Sequence, residues 1–315
     1  MDSRIVLSHS RVMQYLSCPN RYRFSNLYGQ RYRPGEFTAF APDVGTALHR
    51  AMQHYMLHKD YKAAVWELGM AFPWPLYDDP YIGGDKGRSM SAALAGFDCW
   101  IDTNPTLNYE LTSVSGNPAS ELTIHIDLGT LNGRNYVYEL HMDMLCVDNS
   151  SGMVLPVDIK TYAVTTYSSD KTGPYHPLRK YEHSTQLIGY ALGARMLQER
   201  AWTGETLEAL YWFLRVDLRE PEFEVKHAEF DATRVSLWLA NIRNVCYMID
   251  MQAQRDDWLR GEASCHSYGR ACEHSSFCWT RSNEAEIDSW LRSSLGREAA
   301  AAPEPFDFSF RMEIL

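Results

Sequence analysis

The sequence predicts an α/β protein, a strand-rich core bracketed by helices with a helical arm in front of it. Three observations carry this. Over 44–58 the apolar residues Val44, Ala47, Leu48, Ala51, Met52, Tyr55 and Met56 recur at helical spacing. In SELTIHIDL (120–128) the period changes, and Leu122, Ile124, Ile126 and Leu128 alternate with Glu121, Thr123, His125 and Asp127, as on a strand with one face buried. Finally, RNYVYELHMDMLCV (134–147) and MVLPVDIKTY (153–162) are rich in β-branched and aromatic residues and flank the turn sequence DNSSG.

The other elements follow in order. Ser8 or Ser10 can cap a first helix running toward Cys18, and Pro19 marks a joint before a basic aromatic segment. Helices are expected over 44–58, 60–72, 86–103 and 181–199, strands over 207–216 and 222–229, and a long helix from 231. REAAAAPEP (297–305) reads as a linker ahead of the alternating tail FDFSF, which either docks on a protein partner or closes the chain's own sheet as an edge strand. The expected divisions are an N-terminal arm (1–43), a core (44–260), a cysteine segment (261–296), and a linker with tail (297–315).

Composition narrows the function. At 45% hydrophobic and 22% charged, 315 residues can bury a substantial core, which excludes disorder and collagen-like repeats. No apolar run reaches the roughly eighteen residues of a membrane span, and the start lacks the basic-then-apolar order of a secretory signal. A soluble, cytoplasmic protein is expected. The net charge of −10 argues against coating nucleic acid by bulk charge. Residues 1–35 disagree locally, with six arginines against Asp2 alone. There Arg21, Arg23, Arg31 and Arg33 are threaded between Tyr22, Phe24, Tyr28 and Tyr32, a pattern suited to single-stranded DNA, the alternative being a solvated helix with inward aromatics. GGDKGRS (83–89) is one residue short of a phosphate loop and has arginine in place of lysine, so no nucleotide-driven motor is encoded.

The most informative constellation lies on the central hairpin. If the DNSSG turn centres between Ser150 and Ser151, Asp143 faces Asp158 across the ladder. Lys160 shares the face of Asp158, while Val157 and Ile159 point into the opposite, apolar layer. Two carboxylates about 4 Å apart repel by roughly 4 kcal/mol at an effective dielectric near 20, so one stays protonated or a cation sits between them. A divalent metal beside a lysine suits phosphodiester hydrolysis. The competing reading is a cross-strand ion pair on a solvated sheet face.

In this order of motifs the chain resembles the RecB-like branch of the PD-(D/E)XK nucleases, which includes CRISPR adaptation exonucleases and AddB-type helicase-nuclease subunits. The resembling stretches are SHSRVMQYLSCPNRYRF, GTALH, HMDML, PVDIKTY and QLIGY. The resemblance implies a restriction-endonuclease-like mixed sheet flanked by helices. It also implies that His49, Asp143 and Asp158 bind Mg²⁺ or Mn²⁺ with the carbonyl of Ile159, that Lys160 is catalytic, and that Gln186 and Tyr190 support the site and the DNA. Glu121 is a candidate accessory acid. His141 stands where the family often has glycine, and would crowd the metal or bind a second one.

Seven cysteines, an odd number, suit a reducing compartment better than a disulfide framework. Cys265, Cys272 and Cys278 are separated by six and five residues, unlike the short pairs of most zinc sites, so a fourth ligand is missing locally. The resemblance supplies Cys18 and implies a 4Fe-4S cluster joining the N-terminal arm to the C-terminal segment. Zinc held by the same four, or with His266 or His274 substituting, is the alternative. Cys99, Cys146 and Cys246 read as core thiols. Together these readings predict a metal-dependent DNA exonuclease acting on single strands or ends, with 5′ to 3′ polarity favoured by the resemblance. The rivals are a non-catalytic DNA-end-binding or complex-assembly subunit and a CRISPR-type adaptation factor that trims DNA for a partner.

Overall fold

A computed structural model describes residues 4–27, 41–72, 89–103, 105–162, 178–182, 184–198, 201–255, 257–261, 265–267, 270–272, 278 and 311–314. The first strand, β1 (Arg4–Leu7), leads into α1 (His9–Ser17), α2 (Pro19–Tyr22) and a π-helical turn, Arg23–Leu27. Then come α3 (Ala41–His58), α4 (Tyr61–Ala71), α5 (Met90–Asp102) and the short α6 (Pro105–Asn108). The strands β2 (Tyr109–Leu111), β3 (Ser113–Val114), β4 (Asn117–Pro118), β5 (Ser120–Leu131), β6 (Arg134–Asp148) and β7 (Val154–Tyr162) follow. After α7 (Arg179–Glu182) and α8 (Gln186–Leu197) lie β8 (Leu207–Arg215), β9 (Glu222–Phe230) and α9 (Ala232–Arg255). The last elements are β10 (His266–Ser267), β11 (Arg270–Ala271) and β12 (Arg311–Ile314).

The main sheet has the order β12-β5-β6-β7-β8-β9, with β1 and β2 also paired to β6. It is mixed: β7 lies parallel to β8, β1 is parallel to β6, and β6 with β7 and β8 with β9 are antiparallel. This is the α/β arrangement with flanking helices that the sequence predicts. Among the described residues no helix is long and apolar enough to cross a membrane.

The chain divides into two compact units. One comprises 1–38, 125–139 and 237–313, and the other 39–124, 140–236 and 314–315. The described residues of the arm up to 27 and those of the cysteine segment therefore fall in one unit with most of α9 and the β5–β6 turn.

Local chemistry accounts for the ends of elements. Ser8 caps α1 by accepting from the Arg11 amide, Asp60 caps α4 through the Ala63 amide, and Ser89 caps α5 through the Ala92 amide. Ser89, the last residue of the rejected phosphate-loop sequence, thus has a capping role. The helix expected over 181–199 is two, α7 and α8, with Gln186 on the first turn of the second. The strand β1 was not expected, because four residues are too few to show a period and their pairing partner lies far along the chain. In the tail, residues 311–314 form an edge strand of the chain's own sheet, while FDFSF (306–310), expected either to dock on a partner or to close that sheet, lies outside the described residues.

In the larger unit the apolar stripe of α3, with Ala47, Leu48, Ala51 and Met52 fully buried, packs with Met144, Leu155, Val157, Ile159, Leu210 and Trp212. Val157 and Ile159 thus face the apolar layer, as strand alternation demands, leaving the intervening Asp158 on the other face. A Cβ on Gly45 would stand 3.0 Å from Thr161 Oγ1, so glycine there lets α3 approach β7 closely.

Candidate functional site

The hairpin register follows from its turn. Met144 pairs with Val157, Leu145 with Pro156, Cys146 with Leu155 and Val147 with Val154. One step further along the same register brings Asp143 opposite Asp158. There the ladder gives way to a side-chain contact: the Ile159 amide donates to Asp143 Oδ2 at 2.7 Å. Because β7 is an interior strand of the sheet, Asp158 is only 2% exposed.

Around these two acids the larger unit gathers His49 from α3, Lys160 from β7, and Gln186 and Tyr190 from α8. His49 Nδ1 lies 3.5 Å from Asp143 Oδ1. Lys160 Nζ donates to Asp158 Oδ1 at 3.0 Å and stands 2.8 Å from Oδ2. The second contact is an ion pair, so the buried Asp158 Oδ2 has the Lys160 charge beside it. The Gln186 amide donates to Tyr190 Oη at 2.8 Å and reaches Asp158 Oδ1 at 3.4 Å. Lys160 also sits over the Tyr181 ring, 5.9 Å from its centroid.

Electrostatics separates the two acids. Burial lifts the Asp158 carboxyl to about 6; the Lys160 charge opposes this and the Asp143 charge adds to it. Burial also pushes Asp143 upward, but the hydrogen bond and charge of His49, with the Ile159 amide, outweigh it and hold that carboxyl below its usual range. Burial pulls the Lys160 ammonium down, yet Asp158 and Asp143 more than compensate and raise it. One acid therefore ionises readily and the other only with help. An additional cation would supply that help, and the buried Asp158 Oδ2 is an oxygen with capacity to take one. Two carboxylates and an imidazole are donors of the kind Mg²⁺ or Mn²⁺ takes, although among the described residues no three such side chains are gathered in an arrangement that could hold a metal ion. Ile159, expected to contribute its carbonyl, is fixed here through its amide.

Reading the sequence residue by residue misses one member of this surface. Gln53, one helical turn beyond His49 and 6% exposed, donates to Glu121 Oε1 at 2.6 Å and to the Asp143 carbonyl at 3.3 Å. Its position four residues after His49 is the signal that could have found it. His141, exposed, has its Nδ1 3.1 Å from Thr123 Oγ1.

The four cysteines named from the sequence lie in the other unit. Cys18 Sγ accepts from the Arg21 amide and from the Gly261 amide, each at 3.4 Å. Gly261 approaches so closely that a Cβ would stand 2.0 Å from the Ser17 carbonyl oxygen, and the Asn20 amide donates to the Leu259 carbonyl at 3.1 Å. Cys265 Sγ contacts the Gly261 carbonyl at 3.8 Å, and the Cys272 amide donates to the Cys265 carbonyl at 2.7 Å. Asn20 Nδ2 donates to Cys278 Sγ at 3.2 Å. Burial raises the Cys278 thiol; the hydrogen bond from Asn20 opposes this without reversing it, and Cys18 and Cys272 add smaller upward effects. By contrast, burial drives Cys146 and Cys246 up to about 12, the behaviour of inert core thiols. Among the described residues no three or more His, Cys, Asp or Glu side chains are gathered in an arrangement that could hold a metal ion. His274 lies outside the described residues.

Of the arginines proposed to meet nucleic acid, Arg23 is 9% exposed, with its guanidinium 5.8 Å from the Phe24 ring centroid and 6.0 Å from that of Trp258. That position packs Arg23 among aromatic faces. Arg21 is half-buried, and Arg31 and Arg33 lie outside the described residues.

Comparison with known proteins bears on the whole chain. The sequence model of the PD-(D/E)XK nuclease superfamily matches residues 6–279. A crystal structure from Eubacterium rectale, described provisionally as an exonuclease, is similar at 14% identity over 80% of this chain and 79% of that one, with a TM-score of 0.40. The crystal structure of SSO0001 is similar at 13% identity over 78% and 76% of the two chains, with a TM-score of 0.32. No curated protein matches.

Proposed function

The chain belongs to the PD-(D/E)XK nuclease superfamily, and from that premise we propose that it is a divalent-metal-dependent deoxyribonuclease, an exonuclease on single-stranded DNA or DNA ends with 5′ to 3′ polarity. The observation that carries this reading is the buried Asp158 Oδ2, which makes no hydrogen bond although it lies 2.8 Å from Lys160. That oxygen is met by the Lys160 charge alone, and two acids brought to one strand face beside a lysine are an arrangement that a divalent cation would complete.

His49, Asp143 and Asp158 would hold Mg²⁺ or Mn²⁺, with the Ile159 carbonyl as a further oxygen. When bound there, the cation would supply positive charge to the phosphoryl oxygens and lower the pKa of a water. Lys160, kept protonated by Asp158, orients the water and stabilises charge as it develops. Gln186, bridging Asp158 and Tyr190, fixes the Asp158 carboxylate and keeps the Tyr190 hydroxyl in line. Cys18, Cys265, Cys272 and Cys278 bind a 4Fe-4S cluster of structural role. The support is the run of contacts from Cys18 through Gly261 to Cys265, and the Asn20 side chain, next but one to Cys18, donating to Cys278. Arg21, with Arg31 and Arg33, contacts the DNA backbone.

The test is digestion of end-labelled single- and double-stranded DNA with Mn²⁺, wild type beside Asp158→Ala. Shortening from one labelled end by the wild type alone is the expected result. Equal cleavage by both proteins, or by neither, would leave a DNA-end-binding or assembly subunit as the better account.

A further inference from the structure

The sheet face that carries Asp158 and Lys160 continues onto β8 as aromatic rings. The register pairs Asp158 with Tyr211 and Lys160 with Phe213. Alternation turns Leu210, Trp212 and Leu214 to the apolar layer packed with α3, so Tyr211 and Phe213 share the face of the two site residues. They stack on one another with centroids 5.1 Å apart and are 3% and 1% exposed. Tyr181 of α7 packs on both, 5.4 Å from each, yet is itself only half-buried. A buried floor thus fixes a ring whose remaining surface meets solvent. Two ammonium groups are drawn to that ring: Lys160 Nζ lies 5.9 Å from its centroid and Lys180 Nζ 4.8 Å. Lys160 is paired with Asp158, whereas Lys180 is exposed and, among the described residues, has no acidic partner. Arg179 beside it is exposed as well. Covering Tyr211 and Phe213 needs only an apolar side chain; it does not need lysines at the ring. In a chain of net charge −10, exposed basic side chains around an aromatic ring are complementary to a polyanion that carries flat apolar faces.

Resting on the reading of the site as a nuclease, we infer that Tyr181 is a specificity-determining residue: its ring stacks on the nucleobase adjoining the phosphate held at Asp158 and Lys160, while Lys180 contacts the phosphate that follows. The ring accepts a base only when that base is unpaired, since a base inside a duplex already has neighbours on both faces. Tyr181 thereby gives the site a physical ground for preferring a single strand or a frayed end. The two acids and Lys160 do not supply one, because they address phosphate, which single and double strands share. Stacking of this kind reads no sequence, so any of the bases is accepted.

The test is fluorescence anisotropy of labelled single strands in EDTA, so that binding is read without cleavage. An intact strand is compared with strands made abasic at single positions near either end. Wild type should bind the intact strand about tenfold more tightly than the strand lacking the base that stacks, the usual worth of one base on an aromatic side chain. Tyr181→Leu should lose that tenfold on the intact strand and lose nothing further on the abasic one, because ring and base act as a pair. Tyr181→Phe, which keeps the ring, should bind as wild type does, and Lys180→Ala should lower the slope of log affinity against log salt by about 0.7. Wild type indifferent to every abasic position would overturn the inference without any variant, so a Tyr211–Phe213 cluster loosened in Tyr181→Leu cannot obscure the result. So would an equal loss by Tyr181→Leu on intact and abasic strands. Digestion of the intact strand by wild type with Mn²⁺ separates this inference from the reading beneath it. If wild type shortens the strand but is indifferent to abasic positions, the stacking role fails alone; if it neither shortens nor binds the strand, the nuclease reading fails with it.

Discussion

Two buried aspartates, one in each unit, show what a finished charge site looks like beside an unfinished one. Asp250, 1% exposed, is met by Arg134 at 2.7 Å, Gln254 at 2.6 Å, Asn132 at 2.5 Å and Tyr136 at 3.3 Å, so both its oxygens are occupied. Asp158, 2% exposed, takes its hydrogen bonds on one oxygen, from Lys160 and Gln186, and the other is met only by the charge of that same Lys160 at 2.8 Å. Burying a carboxylate costs several kcal/mol, which a full shell of donors offsets and a partial one does not. The difference assigns Asp250 to the fold and leaves Asp158 with capacity for a ligand.

The largest expected effect breaks the comparison at both ends. Asp158→Ala should abolish metal-dependent cleavage while lowering the melting temperature less than Asp250→Ala does, since the cost of leaving Lys160 without its partner is partly offset by removing a carboxyl that burial already disfavours as an anion. Asp250→Ala should cost about 3–5 kcal/mol of stability, because Arg134 loses its buried partner, yet the folded fraction should cleave DNA normally. Thermal melts and digestion assays on the two variants check this together. Cleavage by Asp158→Ala, or lost cleavage in well-folded Asp250→Ala, would show that the two sites are not distinguished in this way. Lys160→Ala should lower the cleavage rate by about a hundredfold or more while retaining Mn²⁺, since a protonated amine has no lone pair to give a metal.

The same contrast divides the cysteines. Cys146 and Cys246 are buried thiols that packing completes, whereas Cys18, Cys265, Cys272 and Cys278 are proposed to need iron and sulfide. Protein purified without oxygen should be brown, and Cys18→Ser should lose colour, stability and cleavage together. Gly261→Ala sharpens this point without touching a thiol, because its Cβ would meet the Ser17 carbonyl oxygen at 2.0 Å and must push the two segments apart. Iron, sulfide and zinc assays on all three proteins check it: stoichiometric zinc in a colourless wild type would make this a zinc site, and an unaffected Cys18→Ser would remove Cys18 from it.

How much of this was legible in the sequence depended on the range of the interactions that set it. The β6–β7 register was legible, because a five-residue turn fixes which residues pair, and Met144 does pair with Val157 as the centring on Ser150 and Ser151 requires. The α3 stripe was legible because Ala47, Leu48, Ala51 and Met52 fall on one helix face. Arg23 was not, since a basic aromatic tract reads alike whether a guanidinium lies in solvent or between Phe24 and Trp258, and only tertiary packing decides. Gln53 was hidden for the same reason: its partners Glu121 and Asp143 are strangers in sequence.

A smaller effect follows from the unfinished site itself. The Asp158 carboxyl stands near 6 in the folded protein, against about 3.9 for an unfolded chain, so the folded state favours its neutral form. That contribution, of order 3 kcal/mol, is fully present below about pH 4 and is lost as pH rises through 6. Asp143, held below its usual range, has the opposite sign: its contribution is present above about pH 4 and fades as pH falls. Metal-free wild type should therefore lose stability between about pH 4 and 7, Asp158→Asn should flatten that slope, and Mn²⁺ at the upper end should restore what was lost. Denaturant titrations with EDTA or Mn²⁺ read the result. A wild-type slope identical to that of Asp158→Asn would mean that the buried oxygen is satisfied after all.

The smallest effect concerns Arg21, and it tests whether the arm meets DNA at all. Arg23 is committed to aromatic packing in the folded protein, whereas Arg21 is half-buried on α2. Each phosphate contact on a single strand contributes about 0.7 to the slope of log affinity against log salt. Arg21→Ala should therefore lower that slope by about 0.7 with Mn²⁺ affinity unchanged, and Arg23→Ala should instead lower the melting temperature through lost packing. Fluorescence anisotropy of a labelled single strand over a salt series, run without metal, separates the two. If Arg21→Ala leaves the slope intact, the arm is a folded helix with a solvated face, and the DNA must be gripped by groups elsewhere on the chain.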